Sequence, residues 1–349
     1  MHYIDIARRQ VGPNRPCFVI AEAGVNHNGD AKLARQLVDV AVQAAADAVK
    51  FQSFKAEGLV TRDAPKAEYQ LRKTASTESQ YEMLRGFELS DKAHYDLKRY
   101  CDEKGILLMS SPFDQERADF LDLLGVAVFK IPSGEITNLP FLTHVALKGK
   151  PMIVSTCMAS LGEVESAINA IQATGNQNIV LLQCVSNYPA NSADVNLRAM
   201  HTMATAFDVP VGYSDHTIGI EVALAAVALG ACVIEKHFTL DRTLPGPDHR
   251  SSLEPEELAA LVHGIRKVES ALGHGRKESV ENEANIAAVA RKSLVAARDI
   301  PVGASLTEDL IAIKRPGTGL PPVMREYLVG RKVRVAIPAG ALITLDMLA

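Results

Sequence analysis

The 349-residue chain has no tryptophan, with only ten Phe and eight Tyr, so aliphatic side chains must fill its core. Cysteine is sparse: five residues, at 17, 101, 157, 184 and 232, an odd number with no C-x-x-C pair. Most lie in apolar runs, which predicts buried, reduced thiols in a cytosolic protein. No run of ~20 apolar residues occurs, so no membrane span is expected. A secretory signal is also missing, because Asp5, Arg8 and Arg9 interrupt the N-terminal segment. Nor is there an excess of basic charge. The formal net charge is −4, which argues against a general nucleic-acid binder. A few lysines inside a pocket would barely move that total, so a local anion site stays open. The chain reads as soluble and cytoplasmic.

What is present is a rhythm. Eight short apolar runs, at 17–23, 48–52, 106–110, 128–132, 151–156, 179–184, 209–213 and 231–237, alternate with amphipathic stretches. The runs are continuous rather than alternating, as parallel strands covered on both faces require. The stretches 31–46, 91–104, 161–174, 219–229 and 255–272 carry helical periodicity, and many are followed by Gly. Eight strand–helix units over ~270 residues predict an α/β fold of the TIM (β/α)8 type. An open doubly wound sheet is disfavoured, since the first strand lacks G-x-G-x-x-G. After Gly275 the chain turns polar. Two similar turns then follow strand-like pieces at 293–297 and 332–337: Asp299-Ile-Pro-Val-Gly-Ala-Ser-Leu-Thr and Ile337-Pro-Ala-Gly-Ala-Leu-Ile-Thr. This weak repeat predicts a barrel over residues 1–275, a linker over 276–287 and a small pseudo-symmetric domain over 288–349. Its thin core suggests that the small domain docks on a barrel, its own or a partner's.

Catalytic residues of such barrels lie where the strands end. Here those ends carry Glu22, Lys50, Ser111, Lys130 with Ser133, Ser155, Ser186 with Tyr188, Ser214 with His216, and Glu235 with His237. Unpaired charge is costly in a barrel interior, so eight polar ends in register point to a site. Lys50 and Lys130 with Ser111, Ser133, Ser155 and Ser214 form a phosphate or carboxylate cradle. His216 and His237, with Glu235 beside them, form a candidate divalent-metal site of the Mn²⁺, Fe²⁺, Co²⁺ or Zn²⁺ kind. Glu22 and Glu235 are the candidate proton-transfer groups, with Glu135 a weaker third.

At these residues the chain resembles the N-acetylneuraminate synthase family. The matching segments are I-A-E-A-G-V-N-H-N-G at 20–29, V-K-F-Q at 49–52, P-K-A-E-Y-Q at 65–70 and F-K-I-P-S-G-E-I-T-N-L-P at 129–140. They continue with Y-S-D-H-T-I-G-I-E-V at 213–222, E-K-H-F-T-L-D at 235–241, P-G-P-D-H at 245–249 and K-R-P-G-T-G at 314–319. The resemblance implies a TIM barrel followed by a small antifreeze-like (SAF) domain, in a domain-swapped homodimer. It implies that Lys50, Ser111, Lys130, Ser133, Ser155, Ser186 and Ser214 hold phosphoenolpyruvate. His216 and His237 would bind the metal, Mn²⁺ first, with Mg²⁺ or Co²⁺ as alternatives. Glu22, Tyr188 and Asp248 would contact the amino sugar, and Arg315 of a partner's small domain would reach its N-acetyl region.

The implied reaction condenses phosphoenolpyruvate with N-acetylmannosamine, giving N-acetylneuraminate and phosphate by C–O cleavage. The alternative sugar is 2,4-diacetamido-2,4,6-trideoxymannose, used by N,N'-diacetyllegionaminate synthases; an isomer used by pseudaminate synthases ranks lower. The chain departs from the family pattern in places. Cys157 stands in the common S-T-G-M segment, and Gln183-Cys184-Val185-Ser186-Asn187 replaces a His-Cys-Asn/Thr type sequence. Two rival readings fit the residues less well. A class II-type metal aldolase would release no phosphate, and a carbohydrate- or ice-binding module would need no catalytic barrel face.

Overall fold

A computed structural model describes residues 3–66 and 79–349. The last four residues of the 65–70 motif therefore lie outside the described residues. Two compact units result, Met1–Gly273 and His274–Ala349.

The first unit opens with a hairpin that the sequence did not announce, β1 (Ile4–Ile6) and β2 (Arg9–Val11). Eight parallel strands follow: β3 (Phe18–Gly24), β4 (Ala48–Ser53), β5 (Leu107–Pro112), β6 (Phe129–Ile131), β7 (Met152–Ser155), β8 (Ile179–Cys184), β9 (Val211–Asp215) and β10 (Val233–His237). Hydrogen-bonded neighbours run β5-β4-β3-β10-β9-β8-β7-β6. The first barrel strand thus pairs with the last, and the ladder's seam falls between β5 and β6. The expected strand positions hold, with ends shifted by a residue or two.

The eight runs look continuous in sequence because both strand faces are buried, yet the two faces meet different partners. Val19, Ala21, Val49, Phe51, Leu108, Phe129, Val154, Leu181 and Ile234 point outward and pack under the helices. Phe18, Ile20, Ala48, Met109, Val128, Ile153, Val180, Leu182 and Val233 point inward and close the barrel's lower layer, where Ile4, Ile6 and Val11 of the hairpin join them. Each buried aliphatic side chain contributes about 1.5–3 kcal/mol relative to exposure. One more step of two along each strand reaches the polar ends. The period-2 pleat therefore stacks a charged layer directly on an apolar one.

Helix ends follow local chemistry. Ser90 Oγ accepts a hydrogen bond from Ala93 N to start Asp91–Lys104, and Gly105 ends it at φ 74°. A side chain at Gly212 would meet backbone: its Cβ would lie 2.4 Å from Val233 O, so β9 and β10 approach closely only because this residue is Gly.

In the second unit, β11 (Ser293–Ala296) pairs antiparallel with β12 (Ile311–Lys314). The expected strand at 332–337 forms only isolated bridges, Lys332 with Ser305, Val333 with Leu348 and Ile337 with Ile300. Pro338, which cannot donate to a ladder, follows at once. The two repeated turns meet each other: Ile300 bridges Ile337, and Ala339 N donates to Asp299 Oδ1 at 2.7 Å. Leu294, Ile300, Leu306, Ile311, Leu328, Val333, Ile337, Ile343 and Leu348 form the core of this unit.

Candidate active site

A cavity of about 460 Å³ opens at the C-terminal ends of the barrel strands. Apart from Arg315 and Glu135, every site residue named from the sequence lines it: Glu22, Lys50, Ser111, Lys130, Ser133, Ser155, Ser186, Tyr188, Ser214, His216, Glu235, His237 and Asp248. Arg315 belongs to the second unit, where its Nε donates to Ala290 O at 3.1 Å. Glu135 does not line the cavity; it accepts a hydrogen bond from Asn138 Nδ2 at 2.7 Å.

The floor is an alternating set of charges. Register places Glu22 opposite both Lys50 and His237, and Glu235 opposite Ser214. Lys50 Nζ lies 2.6 Å from Glu22 Oε2 and 3.7 Å from Glu235 Oε2, and Lys130 Nζ lies 3.2 Å from Glu235 Oε1. Lys50 also donates to Ser111 Oγ at 3.2 Å, and Ser214 Oγ donates to Glu235 Oε1 at 3.0 Å. Two cations thus offset two carboxylates in a site where unpaired charge would be expensive.

The two carboxylates are split in acidity. Burial pushes Glu22 up to about 7, against the pull of Lys50. Glu235 feels the same burial, but Lys130 and Lys50 outweigh it and hold it at about 2. Glu22 is thus the weaker acid of the two and Glu235 the stronger. Glu235 Oε2 accepts no hydrogen bond.

The histidines sit beside this floor. Val185 O accepts a 2.6 Å hydrogen bond from His216 Nδ1, which fixes the tautomer and leaves Nε2 as a lone-pair nitrogen. Tyr188 Oη approaches that nitrogen at 3.1 Å. His237 Nδ1 is buried without a hydrogen-bond partner, 4.0 Å from Asp248 Oδ2. Burial lowers His216 to about 4 and lowers His237 well below its usual value, so both rings are neutral and able to ligate. The donor set fits a divalent cation. Among the described residues no group of three or more His, Cys, Asp or Glu converges to enclose one, so a cation held by the pair would keep open positions.

The neighbouring Lys236 points the other way along β10. It donates to Asp215 Oδ2 at 2.8 Å and Thr217 O at 2.5 Å, a structural pair.

One wall escaped the reading of strand ends. Phe54, Leu59, Val60, Met83, Leu84, Phe87 and Phe113 make an apolar side to the cavity. Several come from the short helices Ala56–Leu59 and Gln80–Arg85. The second begins in a capping box of Ser79 with Glu82, a signature visible in the sequence that could have located it.

Residues 37–277 match the NeuB family, and residues 291–349 match the SAF domain. The chain belongs to the NeuB family. It is 50% identical over 333 residues to the N,N'-diacetyllegionaminic acid synthase of Legionella pneumophila, covering 94% of each chain. It is also 50% identical to the enzyme of that name from Campylobacter jejuni, over 90% of this chain and 95% of the relative. Among solved structures, the N-acetylneuraminic acid synthetase of Leptospira borgpetersenii superposes with a TM-score of 0.73 at 38% identity, covering 82% of this chain and 95% of that one. The antifreeze-like domain and the barrel expected from the sequence are both present. No described helix is long and apolar enough to cross a membrane.

Proposed function

We propose that this NeuB family member condenses phosphoenolpyruvate with a 2,4-diacetamido-2,4,6-trideoxyhexose, as an N,N'-diacetyllegionaminate synthase. The observation that carries the reaction is the floor of the cavity. Two buried lysines, Lys50 and Lys130, are held against two buried acidic side chains, Glu22 and Glu235, next to two buried histidines.

Lys50 and Lys130, with Ser111, Ser133, Ser155, Ser186 and Ser214, would receive the phosphate and carboxylate of phosphoenolpyruvate. A divalent cation at His216 and His237, Mn²⁺ for preference, would supply Lewis acidity toward the sugar's carbonyl oxygen. C3 of phosphoenolpyruvate attacks the C1 aldehyde. Glu22, protonated near neutral pH, is placed to give the proton that the new hydroxyl needs. The oxocarbenium left at C2 takes a water molecule, whose proton passes to Oε2 of Glu235, an oxygen that accepts no hydrogen bond from the described residues. The C2–O bond then breaks as the new C2 hydroxyl passes its proton to the departing phosphate and becomes the ketone, and inorganic phosphate leaves with the lysines balancing its charge.

Two observations favour the diacetamido sugar over N-acetylmannosamine, which the sequence alone ranked slightly ahead. The 50%-identical relatives carry the legionaminic acid name, whereas the Leptospira relative named for N-acetylneuraminic acid is 38% identical. The apolar wall also suits a 6-methyl group and an acetamido methyl better than a hydroxymethyl. The domain-swapped homodimer belongs to this proposal too. In it the partner's Arg315 meets the N-acetyl group, and chain mass in solution checks the assembly. The functional test is turnover of both sugars side by side, with phosphoenolpyruvate and Mn²⁺. Faster use of the diacetamido sugar supports the proposal; faster use of N-acetylmannosamine reassigns the substrate within the same reaction.

A further inference from the structure

Cys157 and Cys184 occupy neighbouring strand ends. β7 and β8 pair Ser155 with Leu182, so the same register carried two residues on sets Cys157 opposite Cys184. The ladder does continue past Ser155, since Thr156 N donates to Leu182 O at 3.1 Å. Neighbouring strands lie about 4.8 Å apart, inside the ~4.4–6.8 Å between Cα atoms that a disulfide spans. The two sulfurs are already 2.7 Å apart, closer than two thiols in ordinary van der Waals contact. Both cysteines are buried, and Cys157 lines the cavity, which gives a small solute a route to it. Ser133 touches both: its Oγ accepts from Cys157 N at 3.1 Å and lies 3.5 Å from Cys184 Sγ.

We infer that Cys157 and Cys184 form an oxidative modification site, at which a peroxide-class oxidant joins them in a reversible disulfide at the edge of the anion cradle. The chemistry balances. The Cys157 thiolate attacks one peroxide oxygen, the O–O bond breaks, and hydroxide leaves. The Cys184 sulfur then displaces the oxygen from the sulfenic acid, releasing water. Two thiols give up two electrons, and one hydrogen peroxide becomes two waters. Cys157 is suited to the first step. The Cys184 thiol, with the hydroxyls of Ser133 and Ser186 and the charge of Lys130, favours its thiolate and brings it to about 6. Burial holds Cys184 well above the ordinary thiol range, as fits a group that reacts second. The cross-link draws the sulfurs to about 2.05 Å and removes the thiol beside Ser133. The cradle then binds its anion less well. That last consequence rests on the function proposed above; the cross-link itself does not.

The test treats the whole metal-loaded protein with hydrogen peroxide, then maps peptides without reduction and counts thiols in denaturant. The expected result is a Cys157–Cys184 linked peptide about 2 Da lighter than its parts, with two of the five thiols lost. Phosphoenolpyruvate in the cavity should slow linkage, dithiothreitol should reverse it, and KM for phosphoenolpyruvate should rise about tenfold in the linked form. Cys184→Ala and Cys157→Ala, each compared with its own untreated rate, should resist peroxide. Five intact thiols, oxygen adducts on Cys157 without linkage, or a linked protein with unchanged KM would overturn the inference. If neither sugar is turned over at all, the proposed function fails, and the peptide map still decides the cross-link.

Discussion

Glu22 and Lys50 face each other across β3 and β4, with Oε2 and Nζ 2.6 Å apart and side chains only 1% and 3% exposed. Such a pair contributes little net stability, because desolvation offsets the attraction. Above pH ~7, where Glu22 is ionised, removing one partner still costs about 3–5 kcal/mol, since the other charge is stranded. Lys50→Met should therefore lower stability in urea titration at pH ~8 by up to about that amount, measured with chelator present. The double variant Lys50→Met/Glu22→Gln should recover part of the loss. Simple additivity of the two single effects would show that the pair is not coupled.

Glu235 sits between Lys130 at 3.2 Å and Lys50 at 3.7 Å, so in the proposed mechanism it would serve the cradle and the proton relay at once. Glu235→Gln removes the base and frees both cations. Steady-state kinetics should show kcat down by about 10²–10⁴, with KM for phosphoenolpyruvate unchanged or lower. A raised KM with normal kcat would make Glu235 a binding group only.

His27 predicts an acid limit. Its ring is 1% exposed, its Nδ1 accepts from Gly29 N at 3.0 Å, and burial lowers it to about 4. The unfolded value is about 6.5. Between those values the unfolded chain binds a proton that the folded chain refuses, so stability falls as pH falls. Above pH ~6.5 the ring has no effect. At pH 5 the loss from this ring should be about 1–2 kcal/mol. Denaturant titrations of metal-free protein at pH 7 and 5 check this. The drop should be smaller in His27→Gln, and an equal drop would clear His27 of the effect.

The apolar wall sets the fourth expectation. Met83 is 4% exposed and faces the cavity. Met83→Gln should lower kcat/KM for the diacetamido sugar by about 10- to 200-fold and leave KM for phosphoenolpyruvate alone. A loss shared by both substrates would assign Met83 to folding.

How much of this was legible beforehand follows from the pleat. Parallel strands put every second residue inward, so reading where each apolar run stopped found Glu22, Lys50, Ser111, Lys130, Ser214 and Glu235 together. The same rule is blind to loops. Phe54, Leu59, Met83 and Phe87 enter the cavity from a strand–helix connection, and no periodicity reports where a connection folds back. The N-terminal hairpin was missed because three-residue strands carry too little pattern. The acid–base split between Glu22 and Glu235 was also beyond the sequence. It depends on which carboxylate has two lysines within 4 Å, a distance only the closed barrel sets.

In the proposed condensation the C2–O bond of phosphoenolpyruvate breaks. Phosphoenolpyruvate carrying ¹⁸O in its bridging position, incubated with the Mn²⁺-loaded protein and 2,4-diacetamido-2,4,6-trideoxymannose, tests it directly. Phosphate should appear only when the sugar is present, and the label should be found in that phosphate by mass spectrometry. Unlabelled phosphate, or phosphate released at the same rate without sugar, would contradict the proposed condensation.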